Sequence, residues 1–178
     1  MDGQPVDRSV LMSLFEAARW APSHFNCQNW RFIYTTRDSP KWNQYLDCLW
    51  KPNQMWAKDA GVLVVAMSKK TTSFMGKVSM LETHSFEAGS AWMSMALEAT
   101  ARRNLVIHAM GGFEREQIAE VIGLPKNYKD EYQIEVMIAI GNRIKDKDRG
   151  LVSGLKDKLT YRNEIEKFIS EDTFKEKL

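Results

Sequence analysis

Cysteine is scarce in this chain. Cys27 and Cys48 stand far apart, without C-x-x-C spacing or neighbours of the kind that bind metal. This pattern argues against a disulfide framework and against a zinc site. Long apolar runs are also missing, since a membrane-spanning helix needs about 20 consecutive apolar residues. The longest candidate, residues 60–67, is far shorter and is followed by Ser68, Lys69 and Lys70, so it predicts a buried strand.

An excess of charge of either sign is absent as well. The chain has 25 Lys+Arg and 23 Asp+Glu, for a net charge of +2, and its basic residues are dispersed. Nucleic-acid binding usually requires a clustered basic face, so composition gives no reason to expect it. The first four residues, M-D-G-Q, are polar and acidic rather than typical of a secretory signal, and the expected compartment is the cytoplasm.

What the chain does have is the material for a core. It contains 178 residues, 44% of them hydrophobic, including ten Met, eight Phe and six Trp. A chain of this length is typically one domain and buries roughly 70% of the surface that its unfolded form exposes. We therefore predict a single domain over residues 1–178. Residues 142–178, which are charged and poor in core residues, form a C-terminal extension.

Periodicity and breaker residues predict an α+β fold. A helix beginning at Asp7 with an apolar stripe should stop at Pro22, because the residue before proline disfavours helical geometry. The longest helix should span residues 83–104 and contains the small residues 88–91, which indicate either tight helix packing or a subunit or ligand contact. The other predicted elements are strands at 30–35, 61–67 and 133–140, a helix opening at Ser39-Pro40, and a short helix at 114–122 that Gly123 ends.

The segment between the first helix and the first strand is unusually rich in polar groups. Pro22 is followed by Ser23, His24, Asn26 and Gln28, which place several donors and acceptors in one turn. Amide side chains can read the edge of a planar heterocycle, because each offers both a donor and an acceptor. The alternative is that Ser23 and Asn26 only satisfy the end of the helix. The residues themselves leave both interpretations open.

Residues 17–32, A-A-R-W-A-P-S-H-F-N-C-Q-N-W-R-F, resemble the nitroreductase family of FMN-dependent NAD(P)H oxidoreductases, whose pattern here is approximately A-R-W-A-P-S-S-x-N-x-Q-P-W-R-F. The likeness continues in order through residues 53–60, 86–92, 108–113 and 136–141. The resemblance implies an α+β sandwich with a central, mainly antiparallel sheet flanked by helices. It also implies a homodimer with two FMN sites at the subunit interface and a C-terminal extension that wraps the partner.

The same resemblance implies a ping-pong reaction, in which hydride passes from NAD(P)H through flavin N5 to a nitroaromatic, a quinone or a similar acceptor. No side-chain acid or base is obligatory in it. His84 and His108 are expected to be packed side chains, and no metal is implied. The resemblance implies that the isoalloxazine ring of the partner's FMN is contacted by Pro22, Ser23, His24 and Asn26. It implies that Asn53 reaches the pyrimidine edge of the flavin and that Arg162 binds the phosphate. Flavin N5 and O4 would face the turn of Met110, Gly111 and Gly112.

Three of these assignments carry an alternative or a physical reason. Glycine at 111 and 112 is expected because only a bare backbone can approach a flat ring closely. His24 stands where the family commonly has serine, which is the departure at this contact. Arg162 could instead form a surface ion pair with Glu164.

Two departures from the family pattern matter. Asn29 replaces the usual proline, which should change the rigidity of the turn more than its chemistry. The family also carries an R-R-S-x-R segment upstream of the first helix that holds the FMN phosphate, and Met1 falls just downstream of its place. Either the segment is encoded upstream, or half of the phosphate clamp is lost and FMN binds weakly. The alternative function is therefore a non-catalytic or weakly flavin-binding dimer of the same fold.

Overall fold

The computed structural model describes residues 1–102, 104–144 and 161–174. The chain divides into two compact units, residues 1–144 and residues 145–178. The first unit carries the sheet and its helices, and the described part of the second contains a 3₁₀ turn at Ile165–Lys167. In chain order the elements are α1 (Arg8–Arg19), β1 (Trp30–Thr36), α2 (Trp42–Asp47), α3 (Lys51–Ala57), β2 (Val62–Lys69), β3 (Thr71–Phe74), β4 (Lys77–Met80), α4 (His84–Ala101), β5 (Leu105–Met110), α5 (Arg115–Val121) and β6 (Tyr132–Asn142).

The main sheet has four strands in the order β1-β2-β6-β5, and each neighbouring pair is antiparallel. This confirms the α+β fold class and the antiparallel sheet. β1 and β5 are the two edges. β2 is buried over nearly its whole length, as its unbroken apolar run predicts. β3 and β4 form a separate two-stranded hairpin between β2 and α4.

Helices cover both faces of the sheet. Successive side chains of a strand point to opposite faces, so Val64 of β2 packs in the cluster with α1 and α4. Its neighbour Val65 packs in the cluster with α2, α3 and α5. Both clusters contain fully buried side chains from β6, Ile138 on one face and Met137 on the other. The sheet is therefore the middle layer of a three-layer sandwich.

The first helix begins where its sequence predicts. The Asp7 carboxylate accepts hydrogen bonds from the backbone N–H of Ser9 (2.7 Å) and of Val10 (3.4 Å), which are otherwise unpaired in the first turn. α1 ends at Arg19, and its last turn leads through Trp20 to Pro22. Cap chemistry and the proline thus fix both ends of this helix locally.

Some element boundaries differ from the prediction. The second helix begins at Trp42 rather than at Ser39-Pro40, which lie in the preceding turn. α4 ends at Ala101, earlier than the predicted 104, and β5 follows it after a short connection. α3, the β3–β4 hairpin and β5 were not predicted. They have four to seven residues each, too few for a hydrophobic period to stand out.

No helix in the described part of the chain is long and apolar enough to cross a membrane.

Candidate functional site

The predicted polar turn forms a loop, residues 22–28, that leads into β1. Ser23 Oγ accepts a hydrogen bond from the N–H of Gln28 at 3.0 Å, and the His24 carbonyl accepts one from the N–H of Cys27 at 3.0 Å. Phe25, Asn26 and Gln28 have φ values of 44°, 57° and 47°. These left-handed conformations are costly for residues other than glycine, so surrounding contacts must hold the loop in place.

Glu87, in the first turn of α4, makes such contacts. Its side chain is buried, with 4% of its surface exposed. Oε1 accepts a hydrogen bond from the His24 N–H at 3.0 Å and one from Thr83 Oγ1 at 2.6 Å. Oε2 accepts a hydrogen bond from Cys27 Sγ at 3.5 Å. The 22–28 loop is thus bonded twice to one carboxylate of α4.

Asn29 makes a second connection at the end of the loop. Its side chain is buried, and its Nδ2 donates to the His84 carbonyl at 3.0 Å and, more weakly, to the Lys69 carbonyl at 3.4 Å. The residue that replaces the family's proline therefore restrains the turn by hydrogen bonds to α4 and β2. Its Oδ1 has no hydrogen-bond partner within the described residues.

Cys27 lies between the carboxylate of Glu87 and a cavity. Burial, followed by the negative charge of Glu87, raises the pKa of the Cys27 thiol. The cavity has a volume of about 550 Å³ and separates the 22–28 loop from the β3–β4 hairpin. Its lining residues are His24, Phe25, Asn26, Cys27, Thr72, Ser73 and Ser79. The thiol is therefore accessible to small reagents, yet its ionisation is suppressed.

The second group of predicted residues lies after β5. Gly112 O accepts a hydrogen bond from Asn53 Nδ2 and another from the Trp50 N–H, each at 3.0 Å. Trp50 Nε1 also donates to Glu114 Oε1 at 2.8 Å. These bonds attach the start of α3 to the residues 110–112, here called the 110–112 turn. The structure therefore brings Asn53 together with Gly112.

The two glycines of this turn have different surroundings. A Cβ atom on Gly112 would lie 2.9 Å from Asn53 Nδ2 and 3.0 Å from Cε3 of Trp50. A Cβ atom on Gly111 would meet nothing within 4 Å. Asn53 and Trp50 therefore supply a reason for glycine at 112 within the chain, in addition to the approach to a flat ring that the sequence suggests. Open space remains beside Gly111.

The 110–112 turn has donors to offer a ligand. Within the described residues, no group accepts a hydrogen bond from the N–H of Gly111 or of Gly112. Gly111 is exposed and Gly112 is partly buried, so these two adjacent donors can reach a ligand in the open space and fit the acceptor edge of a planar heterocycle. Met110 contributes differently, because its side chain is buried in the core. The turn thus fits the flavin edge that the resemblance implies.

The 22–28 loop and the 110–112 turn lie far apart in one chain. The loop leads into β1 at one edge of the sheet, and the turn follows β5 at the other edge. Three strand spacings separate these edges, which is about 14 Å. The loop is bonded to α4 on one face of the sheet, and the turn is bonded to α3 on the other face. The residues predicted to contact FMN therefore form two separate groups within one chain, one in the 22–28 loop and one at the 110–112 turn.

Arg162 belongs to the second unit and is exposed, and its Nη1 donates to the Tyr161 carbonyl at 3.2 Å. Within the predicted extension 142–178, residues 145–160 and 175–178 lie outside the described residues. Four of the described side chains nearby are large, apolar and exposed: Ile165, Phe168, Ile169 and Phe174.

Of the two histidines outside the loop, His84 is partly buried, whereas His108 is exposed, which contradicts the expectation that its side chain is packed. His84 Nδ1 lies 2.8 Å from Ser68 Oγ and 3.7 Å from Glu135 Oε1, within a polar cluster at the start of α4. The His108 ring contacts Trp56 edge to face, with ring centroids 5.1 Å apart. Across the described residues, no three His, Cys, Asp or Glu side chains are grouped to hold a metal ion.

Comparison with known proteins gives consistent results. The model of the Nitroreductase family matches residues 1–47. A solved oxidoreductase containing FMN is 33% identical, with a TM-score of 0.87, over 98% of this chain and 86% of its own. No curated protein matches.

Two other solved structures share the fold at lower identity. A nitroreductase family protein from Clostridium difficile 630 is 19% identical, with a TM-score of 0.68, over 97% of this chain and 90% of its own. An FMN-dependent nitroreductase from Clostridium difficile R20291 is 22% identical, with a TM-score of 0.61, over 92% of this chain and 91% of its own.

Proposed function

This chain belongs to the nitroreductase family, and from that premise we propose that it is an FMN-dependent oxidoreductase that uses NAD(P)H as reductant. The observation that carries the proposal is the 110–112 turn, where two adjacent unpaired N–H groups lie beside the open space at Gly111. The 33% identical oxidoreductase contains FMN, which supports the same cofactor here. The proposed acceptor is a nitroaromatic, a quinone or a similar compound.

The residues of the two groups have separate roles in this proposal. The N–H groups of Gly111 and Gly112 would donate to the N5 and O4 edge of the flavin. Asn53 uses its Nδ2 on Gly112 O, which leaves its side-chain oxygen as an acceptor for the pyrimidine edge. Bound FMN would supply the redox chemistry, accepting hydride from NAD(P)H and passing it to the acceptor. The protein contributes position and hydrogen bonds.

We extend the proposal to a homodimer in which each FMN is contacted by both chains. The two groups of site residues lie at opposite edges of the sheet, so a second copy is the simplest source of the missing half of each site. α4 also carries an exposed apolar stripe: Phe86, Met93 and Leu97 are 77%, 53% and 63% exposed. Exposed apolar stripes at helical spacing are typical of interaction surfaces.

In this dimer, Pro22, Ser23, His24 and Asn26 would cover the ring of the flavin that the partner's 110–112 turn holds. The exposed apolar side chains of Ile165, Phe168, Ile169 and Phe174 support the proposal that the C-terminal extension wraps the partner, because such side chains favour contact with another surface. Arg162 would bind the FMN phosphate through a charge-assisted hydrogen bond, the strongest type available to it.

The direct test is titration of the purified protein with FMN, followed by flavin fluorescence and then by anaerobic addition of NADH or NADPH. We expect saturable binding and bleaching of the flavin absorbance by the reductant, with recovery when a quinone or a nitroaromatic is added. Absence of binding would contradict the proposal. Binding without bleaching would replace it with the alternative of a non-catalytic flavin-binding dimer.

Substitution of Arg162 tests the phosphate assignment. Arg162→Ala should weaken FMN affinity by about tenfold or more while the dimer stays intact, because a charged phosphate contact is lost. Lys167→Ala, in the same segment, is the control for a general loss of positive charge. Equal affinities of the wild type and Arg162→Ala would show that the phosphate site lies elsewhere.

A further inference from the structure

We propose that Glu87 is a positioning residue that holds the 22–28 loop against α4 and thereby fixes the surface that His24 and Asn26 present to the partner's flavin. The inference rests on the proposed function for the identity of the ligand. The contact between Glu87 and the loop is observed directly. No resemblance assigns Glu87 a role, and its separation from His24 is 63 residues in sequence.

The first argument is electrostatic. A buried carboxylate is costly unless hydrogen bonds compensate for its lost hydration. Glu87 is 4% exposed and accepts hydrogen bonds from a backbone N–H, a hydroxyl and a thiol. Two of these three donors, the His24 N–H and the Cys27 thiol, belong to the loop. Movement of the loop away from α4 would leave the carboxylate with fewer donors, so the charge favours the observed loop position.

The second argument concerns the conformation of the loop. Phe25, Asn26 and Gln28 adopt left-handed backbone angles, each of which costs free energy for a residue with a side chain. The bonds from Glu87 are made to His24 and Cys27, on either side of the Phe25–Asn26 pair. Anchors at these two points restrain the strained pair between them. Loss of both anchors would let these residues relax to ordinary angles and move the flavin-facing groups.

The third argument supplies a reporter of the contact. The Cys27 thiol points at Glu87 Oε2, and the negative charge of Glu87 is one of the causes that raise the pKa of this thiol. Removal of that charge, with the loop in place, should lower the pKa. The pH dependence of Cys27 alkylation therefore measures whether the carboxylate faces the loop, and it does so in protein without FMN.

The experiment compares Glu87→Gln, Glu87→Ala and a control on the same helix. Gln keeps an oxygen that can accept from the His24 N–H and from Thr83, but it carries no charge. Ala removes both the acceptor and the charge. Glu98→Gln is the matched control, because Glu98 lies on α4 and pairs with Arg102 rather than with the loop. Cys27 is alkylated over a range of pH in the absence of FMN, and peptide mapping separates it from Cys48.

We expect the variants to differ in how they change the pH profile of Cys27 alkylation and the affinity for FMN. Glu87→Gln should shift the pH profile of Cys27 alkylation to lower pH and weaken FMN affinity less than Glu87→Ala does, because it keeps one acceptor but loses the charge. Glu87→Ala should weaken FMN affinity by about tenfold or more, because the loop loses its anchor. Glu98→Gln should change neither measurement. A purely structural role of Glu87 in the helix would lower thermal stability without this separation of Gln from Ala.

Two results would overturn the proposal. The first is an unchanged alkylation profile in Glu87→Gln, which would show that the carboxylate does not face the thiol. The second is a folded Glu87→Ala protein with wild-type FMN affinity. If Glu87→Ala fails to fold, the alkylation profile of Glu87→Gln decides. Failure of the wild type to bind FMN would contradict the proposed function instead, while the profile without FMN still tests the contact.

Discussion

At the scale of single residues, the structure separates positions that look alike in sequence. Gly111 and Gly112 are adjacent and were assigned one role, yet Gly112 is in close contact with Trp50 and Asn53, whereas Gly111 borders open space. Neither residue has a left-handed φ, so the difference between them is spatial rather than conformational. A substitution of Gly112 should therefore change mainly the free energy of unfolding, whereas a substitution of Gly111 should change mainly the affinity for FMN.

Gly112→Ala should lower the free energy of unfolding, because its methyl group would lie about 3 Å from Trp50 and Asn53. Overpacking of this kind costs about 1–3 kcal/mol. Gly111→Ala should leave the free energy of unfolding of the protein without FMN nearly unchanged and should weaken FMN binding instead. Urea denaturation without FMN and FMN titration measure the two effects. Equal free energies of unfolding for Gly111→Ala and Gly112→Ala would contradict the view that only a methyl group at position 112 is crowded by Trp50 and Asn53.

The two cysteines should also differ in reactivity. Burial, followed by the charges of Asp47 and Glu114, raises the pKa of Cys48 to about 11, and its side chain is fully buried. Cys27 is partly exposed beside the cavity. We expect alkylation of Cys27 to increase with pH through the alkaline range, because the thiolate is the reactive form. Cys48 should react only after unfolding, which peptide mapping in urea would show.

Parts of the site made of residues close together in sequence were predictable, whereas contacts between residues far apart in sequence were not. The 22–28 loop was identifiable because its polar residues are contiguous and Pro22 ends a helix beside them. Glu87 could not be identified as its anchor, because 63 residues separate it from His24 and a Glu in a first helical turn is common. Trp50 was missed for the same reason, since it contacts Gly112 only after α3 and β5 meet.

At the scale of elements, predictions succeeded where local chemistry decides the outcome. α1 has an N-cap aspartate, an apolar stripe and a proline beyond its end, and all three act within a few residues. Gly123 ends α5 with a φ of 78°, as its position predicts. α3 is different: its seven residues depend on tertiary hydrogen bonds from Trp50 and Asn53 to Gly112. A helix this short is difficult to predict, because its few residues show no clear hydrophobic period and its tertiary contacts come from residues distant in sequence.

The cap of α1 gives a prediction about pH. Hydrogen bonds from the Ser9 hydroxyl and backbone lower the pKa of Asp7 in the folded protein. A lowered carboxyl pKa stabilises the fold above the pKa of the unfolded chain, and this stability is lost as pH falls through the folded pKa. Asp7→Ala should lower Tm at neutral pH, and the difference from the wild type should shrink in acid.

Asp7→Asn is the control, because Asn caps helices about as well as Asp but does not titrate in this range. Its Tm should stay close to that of the wild type at neutral pH. Thermal denaturation followed by circular dichroism between neutral and acidic pH checks both variants. A Tm deficit in Asp7→Ala that is equally large in acid would show that the ionised cap is not its cause.

At the scale of the whole molecule, the arrangement of the strands decides where the site can be. β1 and β5 are the two edges of the sheet, although three other strands separate them in the chain. This order depends on long-range pairing, which periodicity does not reveal, and the family resemblance implied only a mainly antiparallel sheet without an order of strands. The proposed dimer is consistent with this order, because the 22–28 loop and the 110–112 turn lie at opposite edges of the sheet and are bonded to helices on opposite faces.

Charge on the α4 stripe should dissociate that dimer. Leu97→Glu would place a carboxylate in the proposed apolar interface, and burial of an unpaired charge is strongly unfavourable. We expect a folded monomer with greatly reduced FMN affinity, measured by sedimentation velocity and flavin titration. Leu97→Met, which keeps an apolar side chain, should remain dimeric. A dimeric Leu97→Glu protein with normal FMN binding would place the interface elsewhere.

The proposed division of each site between two chains would have a genetic consequence. A chain damaged in its 22–28 loop and a chain damaged in its 110–112 turn would each form dimers without a working site. A mixed dimer would contain one site with both defects and one site with neither. Co-expression of the two inactive genes should then restore about one quarter of the wild-type number of sites, since random pairing makes half of the dimers mixed. Two alleles that each fail alone would thus complement each other.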